Sequence, residues 1–203
     1  MKFIDPKNNT DLENYKLLIG SVIPRPIAFI TSISGEGVVN AAPFSYFNIV
    51  SSAPPLVSIA ILREKEEPKD TLKNILEKKE FVLHLVNSEN VENINKASIN
   101  FAPDKSEVEF ANLTLVESTN VSVPGVLESR VRFECTLENH FEIKDNGKTI
   151  TDLVIGRIVG FQIDEEVLFD GKIDPLKLDP IARLAGRSYS KLGEIFDLKR
   201  PRL

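Results

Sequence analysis

The sequence predicts a mainly β protein, a β-barrel with helical insertions, folded as one domain over residues 1–203. Three observations lead there. Strand-like runs outnumber helix-like ones, and the helices are interposed rather than alternating with every strand, which argues against a doubly wound sheet. Hairpins are legible around "SGEG" and at Asn146-Gly147, a dipeptide suited to a tight turn with positive φ. Gly156 and Gly160 lie inside the strand that follows, where bends or a bulge let a sheet close.

Along the chain, "PIAFITSISGEGVVNAAPF" is the first hairpin, with Ile27, Phe29 and Thr31 alternating with Ala28, Ile30 and Ser32. "PPLVSIAIL" is a strand region whose start is fixed by Pro54 and Pro55. "KDTLKNILEKKE" reads as a helix capped by Asp70 or Thr71, with a narrow apolar stripe of Leu72, Ile75 and Leu76. "EFVLHLVN" is a short strand. "SENVENINKASINF" is a second amphipathic helix on Val91, Ile94 and Ala97, and "DKSEVEFANL" adds a helical turn or two. Strands then dominate to about residue 170, followed by a mixed tail with a Gly-bearing loop.

Apolar residues make up 42% and charged residues 27%, enough for a real core. The net charge of −5 argues against a nucleic-acid-binding face and leaves room for a local basic pocket. A single cysteine, Cys135 in "RVRFECTLE", excludes an intrachain disulfide framework and reads as a buried structural thiol. The N-terminal segment lacks the apolar core of a secretory signal, and no run approaches roughly 18 apolar residues. The expectation is a cytoplasmic protein without a membrane partner.

Neither a dinucleotide fingerprint nor a P-loop is present, and no nucleophile elbow. His84 and His140 are far apart and lack companions at zinc-like spacing, so no metal is expected. His84 either faces a ligand or, more plainly, is a satisfied barrel histidine; His140 is expected on an exposed strand face. Neither is read as catalytic.

The stretch "NAAPFSYFNIVSSAPPLVSIAI" threads Asn40, Ser45, Asn48, Ser51 and Ser52 among Phe44, Tyr46, Phe47, Ile49 and Val50. Burying such groups unpaired costs about 1–3 kcal/mol each, so they need partners. With Thr31 and Ser32 of "FITSISGEGVVN", they suit a phosphorylated planar ligand. Its rings want Pro, Phe and backbone amides; its hydroxyls want Ser, Thr and Asn; its phosphate wants a cation, a hydroxyl or a helix N-terminus. Lys69 and Thr71 supply that last need, while Asp70, of the wrong sign, is expected to cap the helix or hold Lys69. Taken alone, "KDT" is an ordinary cap. Arg25, rigid between Pro24 and Pro26, either serves an anion or forms a surface ion pair.

In that order, "PRPIAFITSISGEGVVNAAPFSYFNIVSSAPPLVSIAI" and "KDTLKNI" resemble the flavin reductase-like, FMN-binding split-barrel family, in its flavoredoxin-type branch. "EFVLHLVN", "KSEVEF", "VPGVLESRVRFECTLE" and "PIARLAGRSYSKLGEIFDL" extend the resemblance, more weakly, over nearly the whole chain. It implies a homodimeric split β-barrel holding FMN near the dimer interface. The expected cofactor-binding residues are Arg25, Thr31, Ser32, Asn40, Ala42, Pro43, Phe44, Ser45, Asn48, Ser51, Lys69 and Thr71. In the resemblance, backbone from Ala42 to Ser45 faces the ring edge and Ser and Asn side chains meet ribityl or phosphate oxygens. Thr31 and Ser32 match hairpin positions that touch the flavin, and Lys69 and Thr71 match the phosphate side. "RLAGRSY" matches a tail that approaches the flavin, from this subunit or its partner. His84 departs from the family, which often has Asn there, and Ala185 replaces one of two paired glycines.

The expected activity is NAD(P)H-dependent flavin reduction, with NADH or NADPH giving a hydride to flavin N5 and no catalytic side chain. The electrons then pass to a small-molecule or protein acceptor. The alternative is an FMN-binding electron carrier, or flavin-holding module, without NAD(P)H turnover. A barrel that has lost flavin and serves as a scaffold is argued against by Thr31, Asn48, Lys69 and Thr71.

Overall fold

The computed structural model describes residues 1–64, 66–99 and 106–201. A helix α1 (Asp11–Ser21) precedes the strands β1 (Arg25–Pro26), β2 (Ala28–Ile33), β3 (Val39–Phe44), β4 (Phe47–Ser52) and β5 (Pro55–Leu62). Helix α2 (Asp70–Lys78), strand β6 (Glu80–Leu85) and helices α3 (Val91–Lys96) and α4 (Glu107–Phe110) follow. Short strands β7 (Leu115–Val116) and β8 (Gly125–Val126) lead into the long pair β9 (Val131–Asp145) and β10 (Lys148–Ile163). The chain closes with β11 (Leu168–Phe169), β12 (Lys172–Ile173), α5 (Pro175–Leu178), β13 (Ala182–Arg183) and β14 (Tyr189–Ser190).

The main sheet has seven strands in the order β3-β2-β6-β9-β10-β5-β4. Its two edge strands, β3 and β4, are consecutive in the chain and joined only by Ser45 and Tyr46. Opposite edges can be that close only if the sheet curls round on itself, so the connectivity itself demands a barrel. The Ala60 amide donates to the Tyr46 carbonyl at 2.8 Å and ties this corner to β5.

The curl is built into β10. Its pairing with β9 slips between Ile155 and Gly156 and again between Ile158 and Gly160, at the glycines that predicted bending. A Cβ at Gly156 would run into the Phe81 ring, and one at Gly160 would lie 2.8 Å from Glu134 Oε2. The β9–β10 turn places Asn146 at φ 48° and Gly147 at φ 81°, as an Asn-Gly hairpin should. In the β2–β3 turn, Gly37 sits at φ 84°.

Strand β2 is buried on both faces, which is why it lacks a polar alternation. Ala28 and Ile30 point into the barrel with Val57, Ile59 and Phe81, and Leu72 and Ile75 of α2 join that core. Phe29 points the other way, into a second core with Ile94, Val108 and Ile181. Cys135 is fully buried in the barrel core, and burial pushes its thiol well above the usual range, as a structural cysteine requires.

Several local expectations need correction. Helix α1, which the apolar pattern did not reveal, starts with a capping box: Thr10 Oγ1 accepts from the Glu13 amide, and Glu13 Oε2 accepts from the Thr10 amide. The N-cap of α2 is Lys69, not Asp70 or Thr71. Asp70 neither caps nor holds Lys69; it pairs with Lys73 one turn on, and Lys69 pairs with Glu64. His140 is not on an open face: its Nε2 lies 2.8 Å from Asp152 Oδ1, beside the Arg63–Asp152 ion pair. Asn100 and Phe101 of the second predicted helix, and Asp104 and Lys105 of the third, lie outside the described residues. Among the described residues no helix is long and apolar enough to cross a membrane.

Candidate functional site

The end of β3 and the start of α2 meet along a groove of about 540 Å³. Strand β3 contributes Asn40, Ala42, Pro43 and Phe44, and the first turn of α2 contributes Lys69, Asp70 and Thr71. A second hollow of about 170 Å³ shares Pro43, Phe44 and Lys69 and continues past Ser45 to Arg25 and Arg183. A third, of about 190 Å³, reaches Asn95 and Tyr189 from the same Pro43–Ser45 backbone. The structure therefore brings together eight residues expected from the sequence: Arg25, Asn40, Ala42, Pro43, Phe44, Ser45, Lys69 and Thr71.

Four others are placed elsewhere. Thr31 is fully buried and its hydroxyl donates to the Pro124 carbonyl at 2.7 Å. Ser32, also buried, accepts from Asn74 Nδ2 at 3.1 Å beneath α2. Asn48 sits exposed on β4 with its Oδ1 accepting from the Ile49 amide, and Ser51 accepts from the Ala53 amide in the next turn. None of the four lines the groove. The polar groups of this region thus have two fates: local or core bonds for these four, and a cavity wall for Asn40, in the groove, and Ser45, in the adjoining hollows.

Lys69 heads a nine-residue helix without making a side-chain capping bond, so the first amides of α2 are left to another partner. Those amides and the helix dipole favour an anion at this end of the groove. The Lys69 ammonium lies 3.2 Å from Glu64 Oε1 in a solvent-exposed pair, which an incoming phosphate can outcompete.

Arg25 is not a surface ion pair. It is 6% exposed, and its guanidinium donates to the carbonyls of Ile19, Val22 and Leu184, tying α1 to the tail. Its role in the wall of the second hollow is to position these segments and to lend positive charge. Arg183 stacks over the Tyr189 ring at 4.4 Å, and the Tyr189 hydroxyl donates to Asn95 Oδ1 at 2.9 Å. The Arg183–Tyr189 tail of this same chain therefore lines the two smaller hollows beside the groove.

Glu107 was missed as a site residue, although it lies in the "KSEVEF" element. It is 6% exposed, lines the groove, and accepts from Asn40 Nδ2 at 3.1 Å and from the Ala41 amide at 3.0 Å. Burial raises its carboxyl above the ordinary carboxylate range, with Asp70 repulsion adding to the rise and the bonds from Ala41 and Asn40 opposing it. Thr71 Oγ1 completes the chain by donating to Asn40 Oδ1 at 2.7 Å. The available signal was the need of Asn40, inside an apolar run, for a polar partner; nothing in the spacing says that the partner comes from 67 positions downstream.

His84 lies in the barrel wall and is fully buried. The Val126 amide donates to its Nε2 at 2.9 Å and its Nδ1 lies 2.9 Å from the Phe29 carbonyl. Nδ1 must then carry the proton, and burial pushes the pKa down to about 3. It is a satisfied structural histidine.

A family model described as "Flavin reductase like domain" matches residues 19–177. The chain belongs to the flavin reductase-like family. A protein of Bacillus subtilis is 51% identical over 193 residues, covering 93% of this chain and 94% of that one. Among solved structures, nitrilotriacetate monooxygenase component B from Bacillus cereus is 48% identical, with 98% of each chain covered and a TM-score of 0.96. The 2-nitrobenzoate 2-nitroreductase of Pseudomonas fluorescens is 33% identical, with 98% of this chain and 96% of that chain covered and a TM-score of 0.86. The barrel closed at Ser45–Tyr46 is the split barrel of flavin reductase-like proteins, and the groove described above lies within the matched span.

Proposed function

We propose that this flavin reductase-like protein binds FMN in the β3–α2 groove and catalyses NAD(P)H-dependent flavin reduction. The observation that carries the reading is the uncapped start of α2, with Lys69 and Thr71, opening into a groove walled by Pro43 and Phe44. The volume suits a cofactor-sized ligand. Apolar wall, amide-bearing strand and anion-favouring helix end follow one another in the order that ring, ribityl chain and phosphate require.

When bound, FMN supplies the redox chemistry: it accepts a hydride and passes the electrons on. The protein supplies placement and charge. Lys69, Thr71 and the α2 amides would hold the phosphate end, Asn40 would set the Thr71 hydroxyl through their hydrogen bond, and Pro43 and Phe44 would exclude water from the ring. Arg25 and Arg183 lend positive charge to the neighbouring hollow, which favours an electron-rich ligand. The name of one structural relative, a monooxygenase component, favours a protein as the electron acceptor, and that of the other, a nitroreductase, favours a small molecule.

The working unit we propose is a homodimer. Ile49 is 74% exposed and Val50 50% exposed on the edge strand β4, and Phe141 and Phe161 are exposed on the long hairpin strands. Apolar groups open on both faces of an edge strand call for a cover.

The test is purification followed by absorbance spectroscopy, with NADH or NADPH added anaerobically. The proposal expects FMN to bind and to bleach on addition of a nicotinamide, with steady-state NAD(P)H oxidation in air. Bound flavin without turnover would instead identify an electron carrier. Protein without measurable flavin affinity overturns both readings.

A further inference from the structure

The groove contains a hydrogen-bond chain whose direction is set by one carboxyl group. Ionised Glu107 can only accept. Asn40 must therefore turn its Nδ2 toward Glu107, at 3.1 Å, and its Oδ1 toward Thr71. Thr71 then gives its single hydroxyl proton to Asn40 Oδ1, at 2.7 Å. What Thr71 has left for a ligand is lone pairs. A phosphate dianion is itself an acceptor, so in this direction Thr71 cannot bond it.

Protonating Glu107 allows every bond in the chain to reverse. The carboxylic O–H donates to the Asn40 carbonyl, the Asn40 amide turns over and donates to Thr71 Oγ1, and the Thr71 proton becomes available to the ligand. The other carboxyl oxygen keeps its bond from the Ala41 amide throughout. We propose that Glu107 is a proton-linked specificity residue, whose protonation turns the Glu107–Asn40–Thr71 chain so that the groove receives a phosphomonoester dianion. This rests on the FMN reading, with the phosphate at the start of α2.

The surrounding charges act in the same direction. Asp70 on α2 repels Glu107, and Glu64 and Glu67 line the same groove. The nearby cations face other carboxylates, Lys69 on Glu64 and Lys73 on Asp70. A dianion arriving at Thr71 adds to the repulsion, so proton and phosphate bind cooperatively, the proton coming from solvent.

The experiment is calorimetric titration of the full-length protein with FMN and with riboflavin, from about pH 7 to 9, in buffers of different ionisation enthalpy. In this range the free FMN phosphate, with a second pKa of about 6, is already dianionic. Wild-type protein is expected to take up close to one proton per FMN and to lose affinity by up to about tenfold per pH unit. Riboflavin, without the phosphate, shows neither effect. Glu107→Gln, whose amide can donate to Asn40 while accepting from Ala41, gives FMN binding without proton uptake and flat with pH. Thr71→Val, which keeps the shape and removes the donor, erases the difference between wild type and Glu107→Gln. FMN binding without proton uptake in the wild type overturns the proposal, as does a Glu107→Gln profile that follows the wild type. If FMN and riboflavin both fail to bind, the flavin reading falls and this proposal with it, a result distinct from either of those.

Discussion

His84 carries its neutral state in its hydrogen bonds. Placing a second proton on Nε2 would set a donor against the Val126 amide in a fully buried site. With its folded pKa pushed down to about 3, the native state refuses a proton that the unfolded chain accepts below about pH 6.5. The sign follows: this contribution leaves stability whole above pH 6.5 and erodes it as pH falls toward 3, by at most about 1.4 kcal/mol per pH unit. Denaturant unfolding between about pH 4.5 and 6.5 should show this slope, and His84→Gln should flatten it. An equal slope in both proteins would contradict the assignment. In the groove, Lys69→Ala should weaken FMN about tenfold, as the loss of one charge-assisted contact, and leave riboflavin nearly unaffected. At this scale the sequence was legible where chemistry is local. The start of α2 near Lys69–Thr71 was legible from its own residues, although its cap is Lys69 and not Asp70 or Thr71. Thr31 and Ser32 lie off the groove because a hydroxyl on a strand buried on both faces can be satisfied by the fold itself, here by Pro124 and Asn74.

Elements show the same division. The hairpins and the bends of β10 were readable because glycine and Asn-Gly have steric requirements that no context removes. Gly156→Ala should therefore cost about 1–3 kcal/mol, since the new methyl meets the Phe81 ring within the barrel core. Thermal unfolding checks this, and a variant as stable as wild type would show that the bulge can shift without cost. Helix α1 escaped notice for the opposite reason. Only Ile19 of its residues is buried, so it offers no apolar stripe, and the capping box of Thr10 and Glu13 was its one sequence signature. Thr10→Ala should lower stability by about 1 kcal/mol, measured by the same unfolding experiment. Because Arg25 holds the carbonyls of Ile19 and Val22, loosening α1 should also loosen the wall of the smaller hollow.

For the whole molecule, closure of the sheet at Ser45–Tyr46 both makes the barrel and places the groove. The residues that turn the chain from one sheet edge to the other are those that line the cavities. This could not be read from local pattern, because strand order is a property of the assembled sheet; the resemblance carried it instead. The same holds for Glu107, whose meeting with Asn40 depends on α4 packing across β3. Uncovered apolar groups on β4 give the molecule-scale prediction: Ile49→Lys should yield a folded monomer by light scattering where the wild type is a dimer, and a wild-type monomer would contradict the proposed assembly. The central claim, that FMN lies in the β3–α2 groove, is tested most directly by a crystal structure of the FMN complex. The account predicts phosphate density against Lys69 and Thr71 and the ring along Pro43–Ser45. Flavin bound elsewhere on the barrel, with this groove filled only by solvent, would contradict it.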